Sequence, residues 1–293
     1  MSDAPADAAP STPTPDELLR MGFWEHLEEL RKRLMRAALA FVAAFMGCFA
    51  FSRQIYEFLS RPINAFFEAD AAERAQLLAE KMVAEQGMTL EAALAVATEQ
   101  VEVQKLVFLT VTTPFVLYLK VAALAGVFVA SPIVLYQAWS FIAPGLYKKE
   151  KRAALPFLLF ASSLFLGGGA FGYYIAFPAA LDFLLQVGQP FEAAVTVNHY
   201  LGFLMTVILG LGLMFELPAV ILILARLGLV TPGFLLRQTR IAIVLIFVVA
   251  ALITPTPDIF NLCLFALPTI ALYFVGIALA WFVSPKEARS ASS

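Results

Sequence analysis

The sequence predicts an all-α integral membrane protein of six transmembrane helices with both termini in the cytoplasm. Three observations lead there. The 293 residues are 61% hydrophobic and only 14% charged, against roughly one quarter charged in soluble domains, and mean hydropathy is +0.82. Six apolar runs recur, most of them on the scale of a hydrocarbon core about 30 Å thick. Lysine and arginine gather in alternate connections, which orients each run; the net charge of −2 conceals this, because position rather than sum sets topology.

Residues 1–21 are rich in Pro, Ala and Asp, with no basic stretch ahead of an apolar core. They read as a disordered cytoplasmic tail, and no cleavable signal peptide is expected. The membrane domain covers 22–283, and 284–293 form a second cytoplasmic tail. In residues 22–36 (GFWEHLEELRKRLMR), Phe23, Leu27, Leu30 and Leu34 recur at helical spacing. Glu28, Glu29, Arg31, Lys32, Arg33 and Arg36 fill the polar face. The pattern predicts an amphipathic helix lying along the membrane surface and feeding a first span at 37–51. Its basic cluster holds the N-terminus in the cytoplasm.

Residues 52–113, with nine acidic and five basic residues, form a long extracytoplasmic loop. Residues 70–86 predict a helix stopped by Gly87, and Thr89 is expected to cap a second helix reaching about residue 102. The second span, 116–136, has Lys120 near its outer end and Pro132 in its last turns. Lys148, Lys149, Lys151 and Arg152 then mark a cytoplasmic connection. In the third span, 156–177, Gly167, Gly168, Gly169 and Gly172 cluster; Gly168 and Gly172 make a small-xxx-small pair that predicts close helix packing. Residues 178–199 contain Asp182 and Glu192 but no Lys or Arg, and are extracytoplasmic.

The fourth span, 201–225 (LGFLMTVILGLGLMFELPAVILILA), contains one ionisable residue, Glu216. An acidic side chain at mid-membrane costs about 3 kcal/mol, and protonating it at pH 7 costs about 3.7 kcal/mol. The two are comparable, so the charge state stays open. In either state the carboxyl must face protein, a cavity or a partner rather than lipid. Arg226, Arg237 and Arg240 follow on the cytoplasmic side. The fifth span, 241–253, is thirteen residues, about 20 Å. It predicts thinned lipid or a hairpin that stops short of the far side. After the turn 254–258 (TPTPD), a last span at 260–283, interrupted by Pro268, returns to Lys286 and Arg289.

No catalytic pattern is present: no GxxxxGK[ST] loop, no HExxH helix and no GxSxG elbow. His26 and His199 read as surface or interface residues. Cys48 and Cys263 lie in apolar stretches without ligand types beside them, so neither a disulfide nor a metal site is expected. The composition points to transport or assembly in a membrane, with no enzyme activity, cofactor or nucleic-acid partner. A proton-coupled small-solute transporter using Glu216 is one such reading, and a membrane scaffold without a substrate is another. Glu28, Glu29 and Glu150 fall at one membrane surface and converge if the first two spans are neighbours. Glu150, among four basic residues, either balances local charge or joins Glu29 as an acceptor for a cationic ligand.

Residues 131–152 (SPIVLYQAWSFIAPGLYKKEKR) closely resemble the signature of the twin-arginine translocase subunit TatC family. So do HLEELRKRL from His26, FELP around Glu216, and the Thr-Pro turn ending at Asp258. The resemblance runs from about 22 to 283 in the right order. It implies a concave, lipid-facing groove, shortened last two spans, and residence in a bacterial cytoplasmic (inner) membrane. It also implies a core receptor that binds the twin-arginine signal peptides of folded precursors and is driven by the proton-motive force. The implied partners are single-span TatA and TatB type subunits and further copies of itself in a larger complex. By resemblance, Glu29 and Glu150 are the signal-recognition acids, with Arg31, Phe141 and Pro144 beside them. Glu216 and Pro218 make an intramembrane partner contact, and Pro132, Tyr136 and Asp258 occupy structural or functional turns. The chain departs from the family at Phe274, where an acid is often found, and in the greater length of 52–113.

Overall fold

A computed structural model describes residues 23–142, 154–188, 194–254, 256 and 258–283. The expected tails at 1–21 and 284–293, and the basic connection carrying Pro144 and Glu150, lie outside them. The described chain is helical: α1 (Phe23–Ala50), α2 (Ser52–Leu59), α3 (Arg61–Gln86), α4 (Leu90–Gln100), α5 (Thr113–Ile142) and α6 (Ala154–Phe171). A π-helical turn, Gly172–Ala176, leads into α7 (Phe177–Gly188), followed by α8 (Val197–Met214), α9 (Leu217–Arg226), α10 (Pro232–Arg237), α11 (Thr239–Ile253) and α12 (Ile259–Val283).

Five segments are long and apolar enough to cross a membrane: His26–Ala50, Thr113–Phe141, Leu155–Gly188, Val197–Arg226 and Ile259–Val283. The sixth apolar helix, α11, has 15 residues, about 22 Å, and falls short of a 30 Å core. The last helix corrects the expectation of shortened final spans. At 25 residues α12 measures about 37 Å, and it runs unbroken through Pro268.

The expected interfacial helix and first span are one helix. At 28 residues α1 is about 42 Å long, and it packs chiefly on α5. Its protein-facing stripe is Glu29, Arg33, Ala37, Ala40, Phe41, Ala44, Phe45 and Cys48, while Leu27, Leu30, Leu34, Leu39 and Met46 are exposed. In lipid the apolar face turns outward, which inverts the orientation a soluble amphipathic helix would take. Gly126 of α5 admits this contact, since a Cβ there would lie 3.1 Å from the backbone of Phe45.

The fourth segment forms the centre. Some 56% of its apolar window is buried, against none of α1's, and Leu201, Leu204, Val207 and Leu211 are almost fully enclosed. The glycines of α6 seat it there as expected. A Cβ on Gly168 would meet the Leu211 carbonyl oxygen at 2.7 Å, and one on Gly172 would lie 3.1 Å from Ile208 Cα. The third segment runs on past its expected end at 177 to Gly188, through the π turn.

The outer loop is also more regular than expected. Its first long helix begins at Arg61 rather than near 70, directly after α2. Ile63 and Phe67 anchor the start of α3 in the main core. Farther along, Ala75 and Ala79 pack against Ala93 and Ala97 of α4 as a hairpin. Gly87 terminates α3 with φ 67°, the left-handed conformation glycine adopts without strain. Thr89 sits at the N-cap of α4, but its side chain makes no capping hydrogen bond. A parallel bridge between Val107 and Thr196 ties this loop to the start of α8.

Gly168→Val should lower the melting temperature of the detergent-solubilised protein by several degrees, the effect of about 1–3 kcal/mol of overpacking. Gly167→Val, where a Cβ meets nothing within 4 Å, should leave it unchanged. Equal melting temperatures in the two variants would refute the packing role of Gly168.

Candidate functional site

Two separate carboxylates define the candidate site. The first is Glu29, in the opening turns of α1. Its Oε1 accepts from Arg33 Nε at 2.9 Å and is also ion-paired with Arg33 Nη2. Oε2 is buried with no hydrogen-bond partner, so half the carboxylate is unsatisfied. One turn earlier His26 stacks on Phe141 of α5, ring centroids 4.4 Å apart and planes 20° from parallel. This contact brings the start of α1 beside the end of α5, and the partial negative charge of a helix C-terminus there favours cations. Arg31 is exposed on another face of α1 and does not join Glu29. Arg33, which pattern reading left on the polar face, is the residue that orients it. The sequence signal was the (i, i+4) Glu–Arg spacing.

The second carboxylate interrupts the fourth segment. Phe215 and Glu216 form a two-residue break between α8 and α9, so the expected continuous span at 201–225 is two helices in line. Pro218, in the first turn of α9, has no N–H to donate back into α8. It is fully buried, and Gly276 of α12 lets it approach: a Cβ there would lie 3.2 Å from Pro218 Cα. Glu216 is 8% exposed, and its Oε1 has no hydrogen-bond partner. It lines a cavity of about 420 Å³ walled by α8 and α9, by Ala242, Ile246 and Val249 of α11, and by Thr269 and Tyr273 of α12. The other polar groups on that wall are committed. Thr269 donates to the Phe265 carbonyl at 2.8 Å and Tyr273 to the Leu235 carbonyl at 2.7 Å. Among the described residues Glu216 is the one buried carboxylate.

The family model for the Sec-independent protein translocase protein TatC matches residues 25–268. The chain belongs to the TatC family. A TatC from Koribacter versatilis (strain Ellin345) is 44% identical over 274 residues, 94% of this chain and 90% of its own. One from Helicobacter pylori (strain J99 / ATCC 700824) is 35% identical over 261 residues, 89% of each chain. A crystal structure of the twin-arginine translocase receptor TatC aligns with a TM-score of 0.67 and 31% identity, covering 88% of this chain and 99% of that one.

The other residues singled out by the resemblance lie apart from these two carboxylates. Pro144 and Glu150 lie outside the described residues. Pro132 sits inside α5, where its ring displaces the hydrogen bond to the Phe128 carbonyl; the Ser131 hydroxyl takes that carbonyl at 2.8 Å. Tyr136, 45% exposed, faces outward from the bundle. Phe274 is also exposed and does not line the Glu216 cavity.

Asp258 opens α12. Its Oδ1 accepts from the Asn261 amide at 2.7 Å, and its Oδ2 accepts from Asn261 Nδ2, which also donates to Thr256 Oγ1. Burial pushes this carboxyl up, but hydrogen bonds from the Asn261 amide, the Thr256 hydroxyl and the Asn261 side chain outweigh it and hold it below its ordinary value of 3.8. A lowered carboxyl contributes stability that is present above the unfolded value and is lost as pH falls through the folded one. Asp258→Ala should therefore cost about 1 kcal/mol at pH 7, and this difference from wild type should shrink only below about pH 4. Asp258→Asn, which keeps the cap, should retain most of the stability. Thermal melts from pH 7 to 3 measure all three.

Proposed function

We propose that this protein is the receptor and core subunit of a twin-arginine translocase in a bacterial cytoplasmic membrane, exporting folded precursors by the proton-motive force. α1, α5, the α6–α7 segment, the α8–α9 segment, α11 and α12 are its six spans, with α11 the short fifth and both termini cytoplasmic. Glu29 and Glu150 capture the two signal arginines. The observation that carries this reading is Glu29 itself, held by Arg33 through one oxygen while the other is buried and unpartnered. A guanidinium presents two parallel N–H donors to a carboxylate, which an ammonium cannot imitate. The connection carrying Glu150 begins where α5 ends, beside the His26–Phe141 contact. Arg31 adds to the basic field without touching Glu29.

Glu216 is the second working group. Its cavity offers one unsatisfied carboxyl in an apolar wall, suited to a donor on the single-span TatA and TatB type partners. Pro218 keeps the helix broken there. Self-association in a larger complex completes the assembly.

Crosslinking of a twin-arginine peptide to membranes containing the protein tests the receptor. Glu29→Ala and Glu150→Ala should each weaken capture by about tenfold or more, the loss of a charge-assisted contact. Undiminished crosslinking in both variants sinks the assignment. For the cavity, Glu216→Gln should keep partner co-purification and export, whereas Glu216→Leu should abolish both. Export lost in the Gln variant excludes a neutral polar handle.

A further inference from the structure

A second region of the fold has a ligand's shape without an assigned ligand. Two cavities meet where the α2–α3 corner faces the π turn. The first, about 280 Å³, lies between α2, α5, α6 and α8 and is walled by apolar side chains such as Ile55, Phe128 and Leu166. The second, about 540 Å³, is lined at its far end by Arg61 and Asp182. Phe58, Tyr173 and Tyr174 line both. The second cavity alone falls within the range of about 300–1,000 Å³ typical of small-molecule sites. The two together are amphipathic, with a dry arm between helices and a charged end where α3 leaves the bundle.

Two opposite charges stand at that end, both exposed. Arg61 lies over the Phe58 ring, 5.3 Å from its centroid. Asp182 accepts from Gln186 Nε2 through Oδ2 at 2.8 Å. Among the described residues neither belongs to an ion pair. A cation and an anion thus line one cleft without neutralising each other, and a ligand carrying both signs satisfies both. The dry arm opens past Leu166 and Tyr174, 44% and 65% exposed on the membrane-facing side, so its occupant arrives from the bilayer.

We infer that this cleft binds one phospholipid with an ethanolamine headgroup, its phosphate on Arg61, its ammonium on Asp182 and an acyl chain in the apolar arm. The guanidinium fork suits a phosphate. The N–H donors of an ethanolamine ammonium suit a carboxylate, whereas choline has none and phosphatidylglycerol brings no cation. The π turn supports the assignment, because such turns occur frequently at functional sites. This one places consecutive tyrosines on the cleft, Tyr173 fixed by its bond to the Phe58 carbonyl at 2.6 Å. In the orientation proposed above, the lipid belongs to the outer leaflet; the site itself depends on neither Glu29 nor Glu216.

Native mass spectrometry tests it on the full chain, reconstituted in vesicles with equal phosphatidylethanolamine, phosphatidylglycerol and phosphatidylcholine and extracted in mild detergent. The wild type should retain the ethanolamine lipid about tenfold over the choline lipid, the value of one charge-assisted contact. Asp182→Asn should erase that preference, and Arg61→Gln should lower retention of all three. Ala170→Trp fills the apolar arm from an exposed position; it should reduce every adduct while the protein stays monodisperse on gel filtration and still crosslinks the twin-arginine peptide. Equal retention of ethanolamine and choline lipids by the wild type, preference for phosphatidylglycerol, or unchanged adducts in monodisperse Ala170→Trp each overturns the assignment.

Discussion

Backbone carbonyls at helix ends and breaks that are packed inside the protein have no water to turn to, and the fold depends on side-chain hydroxyls that reach them. Tyr173 and Tyr200 donate to the carbonyls of Phe58 and Leu59, the last residues of α2. Tyr273 does the same for Leu235 in α10, and Ser131 for the carbonyl displaced by Pro132. Each buried group left unpaired would cost about 1–3 kcal/mol. These bonds therefore decide where the chain can bend. α2 turns into α3 within reach of two phenols, which fastens the long outer hairpin to the centre of the bundle. The lipid cleft opens beside the same corner, because Tyr173 is drawn inward while Tyr174 stays exposed.

What could be read from the sequence follows from whether its cause is local. The long apolar helices, the stop at Gly87 and the close packing of Gly168 and Gly172 rest on composition, length or one residue's conformation, and they match the structure. The start of α3 does not, since nothing near Arg61 signals it: the phenols that satisfy α2 lie 115 and 141 positions away. The break at Phe215 and Glu216 was hidden because an apolar run of the right length reads as one span. Its cause, Pro218, was visible as a motif residue but not as a helix breaker. The shortened last helix was an expectation of the resemblance; the chain keeps α12 at full length, with Pro268 accommodated inside a helix packed between α9 and α11. Glu29, read on the polar face of a surface helix, is instead half-buried beside Arg33, for the amphipathic rule presumes water outside.

The two carboxylates are unsatisfied in different ways. Glu29 sits near the membrane boundary with a fixed cation on one oxygen, so a second guanidinium completes a coordination already begun. Arg33 thus orients Glu29 before any ligand arrives. Glu216 has no such companion. A carboxyl at that depth costs about 3 kcal/mol, and nothing among the described residues donates to its Oε1.

The helix break sets where that carboxyl can go. The backbone restarts at Leu217, and Glu216 occupies the N-cap position of α9 without a side-chain capping hydrogen bond, so its carboxyl lines the cavity and is not committed to the backbone. Because α8 ends at Met214 just before it, the negative end of one helix dipole and the positive end of the next meet at this point and largely cancel. Pro218 thus does more than shape the wall. It has no N–H to continue the α8 ladder, and its own burial against Gly276 ties the break to α12. The acid and the proline are one device, in which the break presents an unpaired carboxyl to an otherwise apolar cavity.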